Sequence, residues 1–535
     1  MQKIKKFLLF LITPNPLKIG LLITVLFTYF SFHYFIAREQ IGREAKTADL
    51  LLSFINELHL KTIDYKLRFR GERPGHPDVA ILTVDDRAIE HLGRWPWSRS
   101  KIATIINELR RYDSKVLAFD MVFSEADDNE QVVLLNNIKQ EKFSDPKIYE
   151  VLEQKLNIAN TDSALETAIE KHADHLIMGG FFNSMDYRFD GANEKCAEVL
   201  AYNQTAYGFM EMQELQVGVL DDSNFSFPYE INPFLEAQLL NIATETTAKH
   251  KQLNPIDLKK KVLESQLLYC AKWLNPLHDK SLNEFKTFYA SEIATTEDWQ
   301  DRDFDTFHAY LLSMPKNPIN NTKTFTNNIL VYNAKTKHYG YFNAFPDDDG
   351  TVRRTSVVSR LGDLVLPSLA LKTVMLVKNQ GVFAKLVASP IDIYSKALAE
   401  LQFMDMETGE FTDSLPVNNR GYLKINYAGP QKMFPHLSAA ELFNNKDTAI
   451  IEQRYKGEEK RFTVQKKDWI KDKIFIFGAT AIGVYDMRVT PFEEIYPGVE
   501  THANVIDNIL RKDYLFEDSG ESKVMFIILL ILGIL

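Results

Sequence analysis

Several groups of ionisable residues in this chain have the types and spacing that chemistry needs. Asp85, Asp86 and Arg87 follow the apolar, β-branched run 79–84, and the carboxyl end of a strand is where parallel α/β sheets place groups that meet a ligand. Arg99, at the start of the next helical stretch, and Asp120, at the end of the next apolar run, could join them in one crevice. Such a set could hold a small polar ligand, and it would serve equally as a network of salt bridges and helix caps. Trp95-Pro96-Trp97 could line a pocket beside it or act as a packing anchor.

Asp347-Asp348-Asp349-Gly350 gathers hard oxygen ligands of the kind calcium takes. The EF-hand register fails, because with Gly350 as the sixth loop position the first falls on Phe345 and the twelfth on Ser356, where carboxylates are needed. An Asp-Gly turn between two strands accounts for the same residues. Arg353 and Arg354 just beyond would neutralise the acids or form part of an anion site, so Asp348 and Arg353 stand as ligand-binding or signalling candidates. The turn from Gly478 to Gly483 exposes backbone N–H groups to an anion, yet lacks the Gly-Lys-Ser/Thr of a P-loop and the three-glycine dinucleotide spacing.

Phe119-Asp120-Met121-Val122-Phe123 superficially resembles the metal-binding strand of a class III nucleotide cyclase, which would need a second carboxylate strand to hold two metal ions. Asp85, Asp120 and Asp486 are the carboxylates from which an extracytoplasmic metal or acid–base centre could be assembled. No set of nucleophile, base and orienter and no His/Cys cluster is legible. The segment therefore reads as non-catalytic, with no cofactor and no metal ion.

The elements that must position these residues follow from periodicity. An amphipathic helix is predicted over 44–69, a strand over 79–84, a helix over 98–112 and a strand over 115–119, which is the order of a parallel pair with a helical crossover. Within 126–326 the signals weaken; a helix at 161–171, a strand at 175–181 and a helix at 255–273 stand out from what reads as a long, α-rich insertion. Regular pattern resumes with a hairpin of 328–331 and 339–343, a turn at 346–350 and a strand over 351–359. A helix over 367–378, strands over 422–426 and 473–477 and a helix over 499–510 complete a mixed α/β fold with flanking helices.

The ends differ from this body. Residues 19–36 carry no Asp, Glu, Lys or Arg and are long enough to cross a bilayer. Lys3, Lys5, Lys6 and Lys18 place the start of the chain, 1–18, in the cytoplasm by the positive-inside rule. A cleaved signal peptide, the rival reading, would show a small-x-small site that the sequence near Ala37 lacks. The last residues, 524–535, are wholly apolar and span about 18 Å as helix, so 523–535 reads as the start of a second transmembrane helix with 37–522 outside. At 45% hydrophobic and 25% charged the bulk is ordinary globular protein, and a net charge of −10 without a basic stripe excludes a general nucleic-acid binder. Cys196 and Cys270 are too few for a disulfide framework, leaving one bridge open.

Several stretches together resemble the CHASE2 extracytoplasmic sensor domain: TIDYKLRFRG (62–71), VAILTVDDRAIEHLGRWPWSRSKIATIINEL (79–109), VLAFDMVFSE (116–125), FNAFPDDDGTVRR (342–354), LPSLALK (366–372), LKINYAGP (423–430), and KIFIFGATAIGVYDMRVTPF with YPGVETHANVIDNIL (473–510). The resemblance spares 126–326. It implies a mixed α/β sensor between membrane spans of a bacterial inner membrane, facing the periplasm or the exterior. It also implies a cytoplasmic output beyond residue 535: a class III adenylate or guanylate cyclase first, a histidine or Ser/Thr kinase as the alternative. The partners implied are the lipid bilayer, a small-molecule or protein stimulus and a second copy of the chain.

Overall fold

The computed structural model describes Gly20 and most residues from 50 to 515; the longer stretches outside the description are 1–19, 21–49, 184–216, 222–231, 266–285, 296–302, 306–318 and 516–535. Both apolar terminal segments, Gly20 apart, and both cysteines therefore lie outside the described residues. Among those described, no helix is long and apolar enough to cross a membrane.

One nine-stranded sheet organises the domain. Its strands are β1 (Val79–Val84), β2 (Val116–Phe119), β3 (Leu176–Asn183), β4 (Thr324–Thr326), β5 (Tyr339–Tyr341), β6 (His436–Ser438), β7 (Thr448–Tyr455), β8 (Glu458–Gln465) and β9 (Ile474–Ala479). They run in the order β8-β7-β6-β1-β9-β2-β3-β4, with β5 also paired to β3. From β6 through β1, β9, β2 and β3 to β5 all pairings are parallel. The β7–β8 hairpin and β4 add antiparallel edges, so the sheet is mixed as the sequence predicts.

The alternation along β1 explains the layers. Ala80, Leu82 and Val84 face one core with Ile102, Ile105, Ile106 and Leu109, while Val79 and Ile81 face the other with Val499, Ala503 and Ile506. Strands covered on both sides are buried at every position, which is why β1 reads as an unbroken apolar run. The described helices used below are α1 (Leu50–Arg70), α2 (Asp86–Leu92), α3 (Arg99–Arg111), α4 (Thr161–His172), α5 (Leu369–Lys378) and α6 (Gly498–Arg511). Helices α3 and α4 cover the first face and α5 and α6 the second. Caps set their starts: the Asn160 side chain accepts from Ser163 N, and Ser368 Oγ accepts from Leu371 N.

Three sequence expectations change. Residues 328–331 form no hairpin with 339–343: Leu330–Asn333 is a helical turn, and β5 pairs in parallel with Met178, Gly179 and Gly180. The strand over 351–359 is broken into Arg354–Ser356 and Val358–Leu361, because Val357 leaves the ladder to bond Gly421 and Ser368 through its backbone. Residues 161–183, inside the stretch read as an insertion, supply α4 and the sheet strand β3. The helix over 255–273 falls mostly outside the described residues. Beyond these, Gln380–Ala388, Lys396–Asp405 and Phe411–Leu415 make an antiparallel meander that Gly218–Asp221 joins in parallel, an element for which the periodicity above gives no expectation.

Helix α5 meets β5 at closest range through Gly340, where a Cβ would lie 2.5 Å from Leu369 Cα and 2.8 Å from Leu369 N. Both are backbone atoms, so the helix itself would have to move. Gly340→Ala should cost about 1–3 kcal/mol, read as a lower denaturation midpoint; an unchanged midpoint would show that the layer spacing tolerates the methyl.

Candidate functional site

The seven residues picked from sequence do not meet in one place. Asp85 is the N-cap of α2: its Oδ1 accepts from Ala88 N at 2.9 Å and from Ser438 Oγ at 2.6 Å. With Arg87 at 3.5 Å and that arginine also on Glu441, the Asp85 group is the capping network and not an open site. Asp86 is exposed in the first turn, where its charge suits the helix end. Arg99 turns toward α4, donating to Glu125 O at 3.0 Å, pairing with Asp162 at 3.7 Å and stacking over Phe123 at 4.8 Å. The crevice expected to unite Asp85, Arg99 and Asp120 is thus not formed. The anion turn after β9 is also occupied at its start, since Thr480 N and Ala481 N both donate to Val84 O at 3.1 Å.

Asp120 and Asp486 do come together at the carboxyl edge of the sheet. The Asp120 side chain, 4% exposed, lies 3.6 Å from His502 Nε2 of α6. Asp486 pairs with Arg488 at 2.6 Å, and its backbone carbonyl accepts from Gly498 N at 2.8 Å. Gly498 is required there, because a Cβ would fall 2.0 Å from Asp486 Oδ2. Burial pushes the Asp486 carboxyl above its ordinary value and the nearby Asp120 charge raises it further, against the pull of Arg488 and His502. Two acids, a histidine and an arginine thus form one crevice of ionisable groups at this edge. Among the described residues no group of three His, Cys, Asp or Glu is placed to hold a metal ion, and Asp85 stands apart as a cap.

A second polar centre is built around Arg353, 3% exposed. Its guanidinium donates to Asp64 at 2.6 and 2.7 Å, to Asp347 at 3.2 Å and to Asp349 at 2.9 and 2.8 Å. Arg354 pairs with Asp347 at 2.9 Å and Lys61 with Asp349 at 3.2 Å, so three cations meet three carboxylates. The acidic turn is real, with Gly350 N on Asp347 O at 2.8 Å and Gly350 at φ 80, but Asp348 is exposed and the acids on either side of it hold the arginine. Burial works against ionising Asp349, yet the Arg353 and Thr351 N–H bonds and the Arg353 charge outweigh it and hold that carboxyl well below its usual range. Asp64 is the residue that sequence reasoning missed. Its signal is an acid inside the buried stripe Leu60, Asp64 and Leu67 of α1, at the i, i+4, i+7 spacing of an otherwise apolar face.

The chain entering the domain and the chain leaving it are fastened to the same residue. Arg70, at the end of α1, donates to Asn426 Oδ1 and Tyr427 O; Arg73 pairs with Asp513 and donates to Asn426 O at 3.1 Å. Asn426 Nδ2 donates to Asp513 O at 3.3 Å, just past α6. Helix α6 holds this junction through a buried polar stripe. Glu500 accepts from Lys432 N at 3.0 and 2.8 Å, Asn504 from Ala428 N at 2.7 Å, and Asn508 from Asn426 N at 2.8 Å while donating to Asn426 O at 3.0 Å. The neighbouring cavity of about 60 Å³, lined by Arg354, Tyr422, Lys424 and Leu515 among others, has room for a few waters only.

Arg353→Met should destabilise by roughly 3–5 kcal/mol, because Asp64 stays buried without the guanidinium that bonds both its oxygens, while Asp347 keeps only Arg354. Asp349, ordinarily at 3.8, is held lower in the fold, so its share is complete at neutral pH and lost only as pH falls below about 4. The gap between wild-type and variant midpoints should therefore stay level across the neutral range and shrink in acid. In the crevice, Asp120→Asn removes a neighbouring negative charge, and Asp486 should titrate lower by carboxyl ¹³C NMR; an unmoved Asp486 titration would show the two acids to be independent.

Comparison with known proteins adds one finding and two blanks. No curated protein and no solved structure matches the chain. The family model of the CHASE2 domain matches residues 45–535, a span that takes in α1 with Asp64, the acidic turn with Arg353, both acids of the crevice and all of α6. The chain belongs to the CHASE2 domain family, a family of extracytoplasmic sensory domains.

Proposed function

We propose that this domain is the input of a transmembrane receptor that regulates a class III adenylate or guanylate cyclase, working as a homodimer in a bacterial inner membrane. Residues 19–36 and 523–535 are its spans in this reading, with 1–18 cytoplasmic and 37–522 outside. The observation that supports it most is the junction at Asn426, where the segment arriving through α1 and the segment departing after α6 share one buried side chain. A change in the domain that moves either segment must rearrange the same few bonds, so the two move relative to each other. The stimulus has to favour one arrangement over the other, since equal affinity for both shifts nothing.

The crevice fits the input role. His502 and Asp120 meet near the start of α6 and Asn508 holds Asn426 near its end; six residues of helix separate them, about 9 Å. A ligand or proton taken up beside His502 acts on the helix that positions the junction. A kinase output would use the same mechanics, and the family resemblance ranks it second.

Two measurements test the reading. Disulfide crosslinking in membranes between Ala37→Cys and Glu521→Cys should give different yields in stimulated and resting states, and identical yields would sink the coupling. Asn426→Ala should weaken the response of the attached output several-fold while the domain remains folded by circular dichroism; a full response would place transmission elsewhere.

A further inference from the structure

Short strand segments meet where the chain leaves the domain, and their register brings two cations face to face. Arg354–Ser356 pairs antiparallel with Tyr422–Lys424, and Arg354 is the partner of Lys424. Ile425 N donates to Arg353 O and Val357 N to Gly421 O, each at 2.9 Å. With 353–425 as a hydrogen-bonded pair, the adjacent 354–424 pair is of the other type, with Cα atoms about 4.5 Å apart and side chains close. On its far side Lys424 is bridged to Leu515, the last residue described. Arg354, Lys424 and Leu515 therefore stand in one row on one face, and Tyr422, two residues from Lys424, shares that face. Like charges directly opposite each other on paired strands are destabilising unless a counter-charge sits beside them.

The acid on Arg354 is a shared one. Asp347 accepts from Arg354 Nε at 2.9 Å and from Arg353 at 3.2 Å, so one carboxylate serves two guanidiniums. It holds Arg354 through Nε alone, and the terminal nitrogens of that guanidinium carry four further N–H donors. The Tyr422 ring, 5.6 Å from Arg354 Cζ, supports the guanidinium plane. These side chains line the cavity of about 60 Å³, and among the described residues its lining includes both cations and no carboxylate. Asn418 lines it too; its Oδ1 accepts from Arg420 N at 3.0 Å and Tyr422 N at 2.9 Å, which leaves the donor Nδ2 for the cavity. Pro416, Val417 and Leu515 form the apolar wall. A water takes roughly 10–15 Å³ of such space, so a cavity that holds a few waters also holds one group of about four or five heavy atoms.

We propose that this cavity is a binding site for one small oxyanion, a phosphate or a short carboxylate, held by Arg354 and Lys424 with Asn418 Nδ2 as a further donor. An oxyanion between the two side chains turns an opposed pair of cations into two charge-assisted contacts, and the guanidinium fork suits either ligand. The site shares no residue with the Asp120–Asp486 crevice. It does touch both ends of the domain: Arg354 shares Asp347 with Arg353, which holds α1 through Asp64, and Lys424 carries the bridge to Leu515. An effect of occupancy on the departing segment rests on the receptor reading. The binding claim does not, and binding measurements alone decide it.

The test uses the full chain in detergent micelles and equilibrium dialysis against radiolabelled phosphate or acetate, in chloride buffer of matched ionic strength. The expected result is saturable binding of at least one of the two oxyanions, weakened severalfold in Lys424→Met, which keeps the stem and removes the ammonium. Asn418→Asp is the second variant and guards against a misfolded first one. Its carboxylate still accepts from Arg420 N and Tyr422 N, so the turn is kept while a negative charge enters the cavity, and binding should be lost. Asp120→Asn, in the crevice, should bind as the wild type does. Absence of binding to the wild-type chain, or wild-type affinity in folded Lys424→Met or in Asn418→Asp, overturns the proposal. Loss of binding in Asp120→Asn with retention in Asn418→Asp also overturns it, by placing the anion in the crevice. Phosphate bound without acetate assigns a phosphate ligand, and the reverse assigns a carboxylate.

Discussion

The guanidinium of Arg353 is the point on which the placement of α1 depends. Taking a guanidinium and the carboxylates of Asp64 and Asp347 out of water is unfavourable, and only close, multiply bonded geometry compensates. That geometry exists because Asp64 projects from the same helical stripe as Leu60 and Leu67, while the Asp347–Gly350 turn folds two further acids back onto the arginine. A hydrophobic stripe alone would let α1 slide along the domain by a turn with little change in buried area. A charged group that must find three acids permits one register.

Helix α6 does the complementary work at the other end of the chain. It is buried on nearly every side, which for most helices would mean an all-apolar sequence. Instead, Glu500, Asn504 and Asn508 recur at i, i+4, i+8 and bond the backbone of 426–432, a stretch that would otherwise leave its N–H groups unsatisfied. The first part of the same helix supplies His502 to the crevice. Crevice and junction are thus two regions of one helix.

Much of the scaffold was legible in the sequence. Apolar runs at 79–84, 115–119 and 473–477 predict strands that the sheet contains to within a residue or two, and the periodicities of 98–112, 161–171, 367–378 and 499–510 match α3, α4, α5 and α6 within a few residues. What failed did so for identifiable reasons. Three-residue strands such as β5 carry too little pattern to reveal whether their partner is the next strand or one more than 150 residues away. The site candidates failed in a related way: Asp85, Arg99 and Asp120 all sit at strand ends or helix starts, and sequence position does not say that one caps a helix, one reaches toward α4 and one faces His502.

The sequence by itself determined the fold class, the family and the residue types available for binding, because these follow from local periodicity and from motifs that are contiguous in the chain. Only the tertiary structure decided which acids belong to which centre. Asp64 and Arg353 are 289 residues apart, and Asn426 bonds Arg70, 356 residues before it, and Asp513, 87 residues after it. Pairings of that range are set by the parallel sheet and its covering helices, whose closure brings distant segments to the same edge. Spacing along the chain carries no record of them, since a charged residue reads alike in sequence whether it will meet water, a helix end or a buried partner.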